Sequence, residues 1–292
     1  MSEEKGICIF AYNNEQIDYI KLSIICSLLC KKNLGLPVAL ITDPGTEGYL
    51  ETFNKSLIDA CFDYIITKDH NYEPNKRIHK DSPWHEFVAP FYNFNKNDIF
   101  TISPFNQTLL LDSDYLVLTD NLLKLFDQDI HIACFEHSKT IGNENVKPLE
   151  IFLHETGIKM LWSTVIYFDK QVNNKLFFDL WGHVRDNYEY YQLLYGFPKS
   201  IYRTDYAISI ANHILGGRNG SKFIFTPTQQ YMYTSYQEDD LYKVGENNFL
   251  FLKNDPKKNW LDIVVNWKNK DVHVMNKRAI LRNYETFLDH YI

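Results

Sequence analysis

No stretch of this 292-residue chain reaches the roughly eighteen uncharged apolar residues that a membrane-spanning helix requires. The best candidate, Ile17–Cys30, is shorter and carries Asp18 and Lys21. The amino-terminal MSEEKG is polar and acidic, the wrong start for a secretory signal. Cysteine is sparse: Cys8, Cys26, Cys30, Cys61 and Cys134 form no C-x-x-C pair, and all sit among apolar neighbours. An odd count without metal spacing reads as buried free thiols in a reducing compartment, so a cytoplasmic location is expected. Basic charge is also short, with 30 Lys+Arg against 37 Asp+Glu, a net charge of −7 and a pI near 5.8. That balance argues against coating nucleic acid by charge alone. The exception is local: from Leu250 onward eight Lys/Arg face five Asp/Glu, a basic segment that could engage phosphates.

What is present is ordinary globular material, 45% hydrophobic and 23% charged, in a chain long enough for one large α/β domain or two modest ones. Aromatic residues are plentiful, with 20 Tyr and 20 Phe, which supplies flat, hydrogen-bonding surface for stacking against rings. Gly6–Tyr12 is a β-rich run ended by Asn13-Asn14, and from Glu15 to Lys32 apolar residues recur at helical spacing (Ile17, Ile20, Ile24, Leu28). Leu36-Pro37 leads into a second strand, Val38–Thr42, closed by Asp43-Pro44-Gly45. A helix over about Tyr49–Ala60 and a strand over Cys61–Thr67 follow. Strand–helix–strand–helix–strand at this spacing is the signature of a parallel sheet with crossover helices. Later expectations are a helix over Val88–Asn97 and strands at Thr108–Leu111, Ile130–Phe135, Ser163–Phe168 and Val272–Met275. Helices are expected over Val172–Leu194 and Asp205–Leu215, the last stopped by Gly216-Gly217. The expected class is α/β, with a doubly wound, mostly parallel central sheet flanked by helices.

The most informative stretch is Thr108–Val117, TLLLDSDYLV. Four residues of apolar strand deliver Asp112 and Asp114 at the strand's carboxyl end, where open α/β sheets bind ligands. Alternation along a continuing strand would place both carboxylates on one face, where their repulsion calls for a cation. Hard carboxylate oxygens suit Mg²⁺ or Mn²⁺, which commonly bridge to phosphates. Asp205 is placed at a helix N-cap after Arg203-Thr204.

The opening strand, SPFNQTLLLDSDYLVL, WSTVIYF at 162–168, RTDYAISIANHIL at 203–215 and HVMNK at 273–277 together resemble the GT-A-fold glycosyltransferases. The resemblance runs from residue 6 to about 280 and is greatest to enzymes of tailed phages and some bacteria, where the compartment would be the host cytoplasm. It implies a nucleotide-sugar-binding half, 1–118, ending in the D-x-D motif. An acceptor-binding half, 119–292, would carry a metal- and diphosphate-binding segment at its end. Asp112 and Asp114 would hold a divalent metal with His273 as third protein ligand, a donor set that favours Mn²⁺ over Mg²⁺. Lys277 would neutralise the diphosphate of the nucleotide sugar. Tyr12, Asn13 and Asp43 would lie beside the nucleobase, with Tyr19 a further stacking candidate, and Asp112 and Ser113 would touch the donor. Lys96 falls where relatives present a basic residue, often arginine, to the donor. Trp162 begins the wall against the transferred sugar or acceptor, and Asp205 would bond sugar hydroxyls or act as general base.

The activity so implied is metal-dependent transfer of a sugar, from a UDP-sugar by family frequency, to a hydroxyl acceptor that is a carbohydrate. The alternative acceptor is a hydroxymethylated base in DNA, since some phage relatives modify such bases. LLLDSDYLV also approximates the haloacid-dehalogenase phosphatase motif, but Leu116 stands where Thr or Val is usual and about 110 residues precede it. A non-catalytic nucleotide or glycan binder is the remaining alternative. A nucleotidyltransferase is disfavoured because Tyr12-Asn13-Asn14-Glu15 lacks the glycines of a phosphate loop.

Overall fold

The computed structural model describes residues 4–69, 73–147, 150–154, 157–217, 224–227, 232–246, 248–255 and 261–292. β1 (Lys5–Phe10) leads to α1 (Tyr19–Leu34), which Asp18 caps by accepting the Lys21 N–H at 3.0 Å. Gly35, in the left-handed region at φ 64°, ends α1 after Lys31 and Lys32 have met the carboxyl end of its dipole. The helix is buried on most sides, because later helices cover the face turned away from the sheet. β2 (Val38–Thr42) follows. The single helix expected over Tyr49–Ala60 is two, α2 (Pro44–Leu50) and α3 (Lys55–Cys61). Asn54 makes the break by accepting the Ser56 N–H, which restarts the chain as a new helix. β3 is Tyr64–Thr67.

The next segment departs from expectation. Asn75–Lys80 (β4) and Glu86–Phe91 (β5) form an antiparallel hairpin where a helix was expected over Val88–Asn97. Pro90 has no N–H to donate and is disfavoured inside a helix, whereas an edge strand tolerates it. A 3₁₀ turn, Phe94–Asp98, and the one-turn α4 (Ile99–Ile102) return the chain to β6 (Gln107–Leu111) and β7 (Tyr115–Leu116). β8 (Ile132–Phe135), β9 (Ser138–Thr140) and β10 (Trp162–Asp169) come next. The expected Val172–Leu194 helix divides at Asn187 into α5 (Lys175–Asp186) and α6 (Tyr188–Tyr195). The Asn187 side-chain amide donates to the His183 carbonyl at 2.9 Å, competing with continuation of the helix. α7 (Thr204–Gly216) and β11 (Ile224–Phe225) precede β12 (Met232–Ser235), β13 (Asp240–Val244), β14 (Asn248–Asp255), β15 (Leu261–Lys268) and β16 (Val272–Val274). α8 (Lys277–Arg282) and α9 (Tyr284–Tyr291) close the chain against α1.

The molecule is a mixed α/β structure around a seven-stranded sheet of order β11-β8-β10-β6-β1-β2-β3, in which β10 alone runs against its neighbours. The expected boundary at residue 118 runs through this sheet, since β8, β10 and β11 come from beyond it. A four-stranded sheet (β7-β16-β12-β9) and a three-stranded one (β13-β14-β15) stand beside it. Val38–Ile41 and Ile7–Ile9 are fully buried, as parallel strands covered on both faces must be. All five cysteines are buried free thiols. No helix among the described residues is long and apolar enough to cross a membrane.

Candidate functional site

Because β1 and β6 are parallel and β10 is antiparallel to β6, the carboxyl ends of β1 and β6 and the amino end of β10 meet at one edge of the sheet. That edge holds Phe10–Tyr12, Asp112–Asp114 and Trp162–Thr164. The Asp112 N–H donates to the Thr164 carbonyl at 3.0 Å, tying two of these segments together. Asp112 and Asp114 are not aligned by a continuing strand, as alternation had suggested. β6 stops at Leu111, and a turn closed by the Tyr115 N–H on the Asp112 carbonyl (3.0 Å) carries the chain into a different sheet. There β7 pairs with β16, Tyr115 lies opposite His273, and the Val274 N–H donates to the Asp114 carbonyl at 2.9 Å. This register is what brings a histidine from near the end of the chain to the acids: His273 Nε2 is 3.5 Å from Asp114 Oδ1.

The same turn of chain places Lys277. Asn276, fully buried, caps α8 through the Ala279 N–H (3.0 Å) and donates to the carbonyls of Asp81 (3.1 Å) and Asp239 (3.0 Å). One residue on, Lys277 Nζ meets Asp114 Oδ2 at 2.5 Å. Lys96, from the 3₁₀ turn after the hairpin, pairs with Asp112. Both lysines are nearly buried along their length.

These partners split the two acids. Burial pushes the Asp112 carboxyl up, and the Asp114 charge adds to this, against the pull of Lys96 and His273. Burial acts on Asp114 in the same sense, but Lys277 and His273, by charge and hydrogen bond, outweigh it and hold that carboxyl far below the usual carboxylate range. Asp112, Asp114 and His273 each offer a ligand atom, all within 4.8 Å of one another. Asp114 keeps Oδ1 turned toward His273 while Oδ2 takes Lys277. The buried His273 Nδ1 and Trp162 Nε1 have no hydrogen-bond partner among the described residues. Two hard carboxylates and an imidazole are a fitting set for a divalent cation.

The edge opens into a cleft of about 500 Å³ lined by Tyr12, Lys96, Asp112, Ser113, Asp114, Trp162, Asp205, His273 and Lys277 among others. Two residues expected there do not line it. Asn13 accepts the Ile20 N–H at 2.9 Å, helping to start α1, and Asp43 caps α2 through the N–H (2.9 Å) and hydroxyl (2.8 Å) of Thr46. Both polar side chains, expected to lie beside the nucleobase, are engaged at helix starts.

Asp205 lies within the first turn of α7, whose N-cap is Arg203, so its placement as an N-cap is corrected. Its carboxylate reaches across to β10 instead. Oδ1 accepts the N–H (2.9 Å) and hydroxyl (2.7 Å) of Ser163, and Oδ2 faces Arg203 Nη2 at 3.3 Å. Burial would raise this acid, but Arg203 and the Ser163 bonds outweigh it and lower its pKa.

Sequence reasoning missed several contributors to the cleft, three of them charged or polar segments that bear on its chemistry. Arg77, Lys80 and Phe91 come from the β4–β5 hairpin, Tyr236–Glu238 from the loop after β12, and Arg203 from before α7. The hairpin was readable: the turn-forming Asp81-Ser82-Pro83 separates two six-residue runs. No local signal marks the Tyr236 loop.

Neither a protein-family model nor a curated protein sequence matches the chain. Among solved structures, the fold is similar to the apo form of glycosyltransferase GlyE from Streptococcus pneumoniae TIGR4 (TM-score 0.40, 18% identity, 76% of this chain and 45% of that one). It is similar as well to galactosyltransferase LgtC in complex with donor and acceptor sugar analogues (TM-score 0.45, 11% identity, 78% and 75%). A third similarity is to mouse xyloside xylosyltransferase 1 in its apo form (TM-score 0.45, 10% identity, 77% and 85%). The chain spans about half the length of the first of these.

Proposed function

We propose that this chain is a metal-dependent glycosyltransferase of the GT-A type, moving a sugar from a nucleotide-sugar donor to a carbohydrate hydroxyl. The observation that carries the reading is the convergence of Asp112, Asp114 and His273 beside Lys277 at the mouth of a cleft on the strand-end edge of the sheet. Asp112, Asp114 and His273 would hold a divalent cation, Mn²⁺ in preference to Mg²⁺, which when bound neutralises charge on a departing nucleoside diphosphate. Lys277 supplies a second cation to the same group. Tyr12, Ser113 and Lys96 line the donor side, and the UDP-sugar assignment rests on family frequency. Trp162–Thr164 forms the wall against which transferred sugar and acceptor meet. Asp205, with its oxygens engaged by Ser163 and Arg203, is a weak base as it stands, and its part is to fix that wall.

A DNA acceptor, the alternative reading, draws less support from the basic carboxy-terminal segment than its charge count suggested. Three of the carboxy-terminal cations that suggested it are engaged internally, Lys253 with Glu144 (2.7 Å), Lys270 over Tyr233 and Trp267, and Arg282 with Asp81 and Asp240, while Lys268 is exposed. Lys257 and Lys258 lie outside the described residues.

The test is thermal stability with nucleoside diphosphates and nucleotide sugars in Mn²⁺, Mg²⁺ or EDTA. A ligand that binds only the native state raises apparent stability with its affinity. One nucleoside diphosphate should raise Tm with a divalent metal, lose the effect in EDTA, and lose it in Asp114→Asn while the variant stays folded. An absence of any shift on folded wild-type protein would refute the reading.

A further inference from the structure

Among the described residues, the half-buried and buried Lys and Arg side chains of the cleft each meet a carboxylate, with one exception. Lys80 pairs with Glu238 (3.0 Å), Lys96 with Asp112, Arg203 with Asp205 (3.3 Å) and Lys277 with Asp114 (2.5 Å). Lys147 is exposed and stands over the Tyr236 ring at 4.7 Å. Arg77 also lines the cleft, yet among the described residues it has no carboxylate in ion-pairing reach, only the Phe91 ring 5.7 Å away. A guanidinium withdrawn from water without a counter-anion is costly unless something that enters the cleft supplies one.

A second, independent feature lies beside it. Tyr19, 7% exposed, also lines the cleft, and its hydroxyl has no hydrogen-bond partner among the described residues. Asp114 and Asp112 add to burial in pushing the Tyr19 phenol up, and Arg77 pulls it down, so all four groups share one neighbourhood.

Arg77 is rigidly presented. It sits opposite Ala89 on the inward face of the hairpin. The far end of the hairpin is pinned to the segment that bears His273 and Lys277. Asn276 donates to the Asp81 carbonyl (3.1 Å), Arg282 binds the Asp81 carboxylate (2.5 Å), and the Arg278 guanidinium lies 3.7 Å over the Phe87 ring. The Lys80 N–H donates to Gln237 at 2.6 Å, which ties the hairpin to the loop after β12 as well.

We propose that Arg77 and the Tyr19 hydroxyl form a phosphoryl-binding seat beside the Asp112–Asp114 pair, in which the guanidinium and the phenol both donate to phosphate oxygens of the nucleoside diphosphate. This rests on the nucleotide-sugar reading and adds a cation that the metal ligands and Lys277 do not provide. Guanidinium geometry matches phosphate bidentately, so lysine is an incomplete substitute.

Calorimetric titration of the full chain with inorganic pyrophosphate, UDP and uridine, in Mn²⁺, tests it. Arg77→Ala should weaken pyrophosphate and UDP at least tenfold, Arg77→Lys should restore part of this, and Tyr19→Phe should cost several-fold. Uridine, lacking phosphate, should be indifferent to all three substitutions. Unchanged melting temperatures for Arg77→Lys and Tyr19→Phe separate lost binding from lost folding. If wild type and Arg77→Ala bind UDP and pyrophosphate equally, the seat is overturned while the donor reading stands. If inorganic phosphate binds UDP-saturated wild type, is lost in Arg77→Ala, and UDP affinity is untouched, the anion belongs to a second substrate and the assignment to the donor is overturned. If pyrophosphate and UDP both fail to bind wild type, the seat and the nucleotide-donor reading fall together.

Discussion

Asp239 offers a measurable link between burial and the shape of the cleft. It is 2% exposed, and its two oxygens accept the N–H groups of Tyr236 (2.7 Å) and Asn254 (2.9 Å), holding the loop that brings Tyr236–Glu238 to the cleft. Burial pushes its carboxyl up from 3.8 to about 6, with Glu238 adding and the two backbone bonds and Lys253 opposing. The unfolded chain thus releases this proton near pH 4, while the folded chain keeps it until about pH 6. The group's contribution to stability is therefore greatest below about pH 4, falls as pH rises through that window, and levels above it. A shift of about two units at about 1.4 kcal/mol each makes the fall about 3 kcal/mol.

Asp239→Asn removes the titration. At pH 7 the variant avoids burying a charge but turns an NH₂ toward one of the two backbone N–H groups, a loss of about 1–3 kcal/mol, so the two effects roughly cancel. At pH 4 only the loss remains. Urea unfolding of both proteins from pH 4 to 7 should show the stability difference move by about 3 kcal/mol in the variant's favour as pH rises. Parallel curves for the two proteins would falsify the assignment, because every other titrating group is common to both.

Three further substitutions probe the fold and the wall of the cleft. Gly6→Ala would put a methyl 2.4 Å from Cε1 of Phe105, a fully buried ring. Overpacking of this kind costs about 1–3 kcal/mol, and we expect the upper end by urea midpoint; a change below about 0.5 kcal/mol would show that the ring yields freely. Tyr202→Phe leaves the buried Trp181 indole N–H, which donates to that hydroxyl at 2.8 Å, without a partner, and should lower stability by about 1–3 kcal/mol in the same assay. Asp205→Asn should lower kcat about tenfold while leaving the acid limb of the pH–rate profile in place. Loss of that limb together with a drop of order a thousandfold would make Asp205 the general base instead.

How far the fold can be read from the sequence follows from where local and long-range forces agree. β1, β2, β6 and β10 are apolar runs buried on both faces, and nothing competes with that pattern. The failures are places where one side chain overrules periodicity. Asn54 and Asn187 break helices that their neighbours would continue, and Pro90 turns an apolar run into an edge strand. The three-stranded sheet of β13, β14 and β15 went unread for a different reason. Its apolar runs, Phe249–Leu252 and Ile263–Val265, are short and set among Lys, Asn and Asp, and β14 buries only alternate residues, so no fully buried run marks it.

The site divides along the same line. Asp112 and Asp114 stand at a strand end, where a parallel sheet delivers ligand-binding groups whatever the loops do, so spacing alone brings them forward, while Trp162 comes forward through resemblance. His273 and Lys277 are legible only through resemblance, because their approach depends on β7 leaving one sheet to pair with β16 in another. Asn13 and Asp43 are ambiguous because a short polar side chain after a strand serves a ligand and a helix cap equally well in sequence. In the structure each supports a helix start, by accepting the N–H groups of Ile20 and Thr46. Arg77 is invisible to a motif search for the opposite reason. Its significance lies in lacking a carboxylate partner where Lys80, Lys96, Arg203 and Lys277 each have one, and pairing is a property of the assembled cleft.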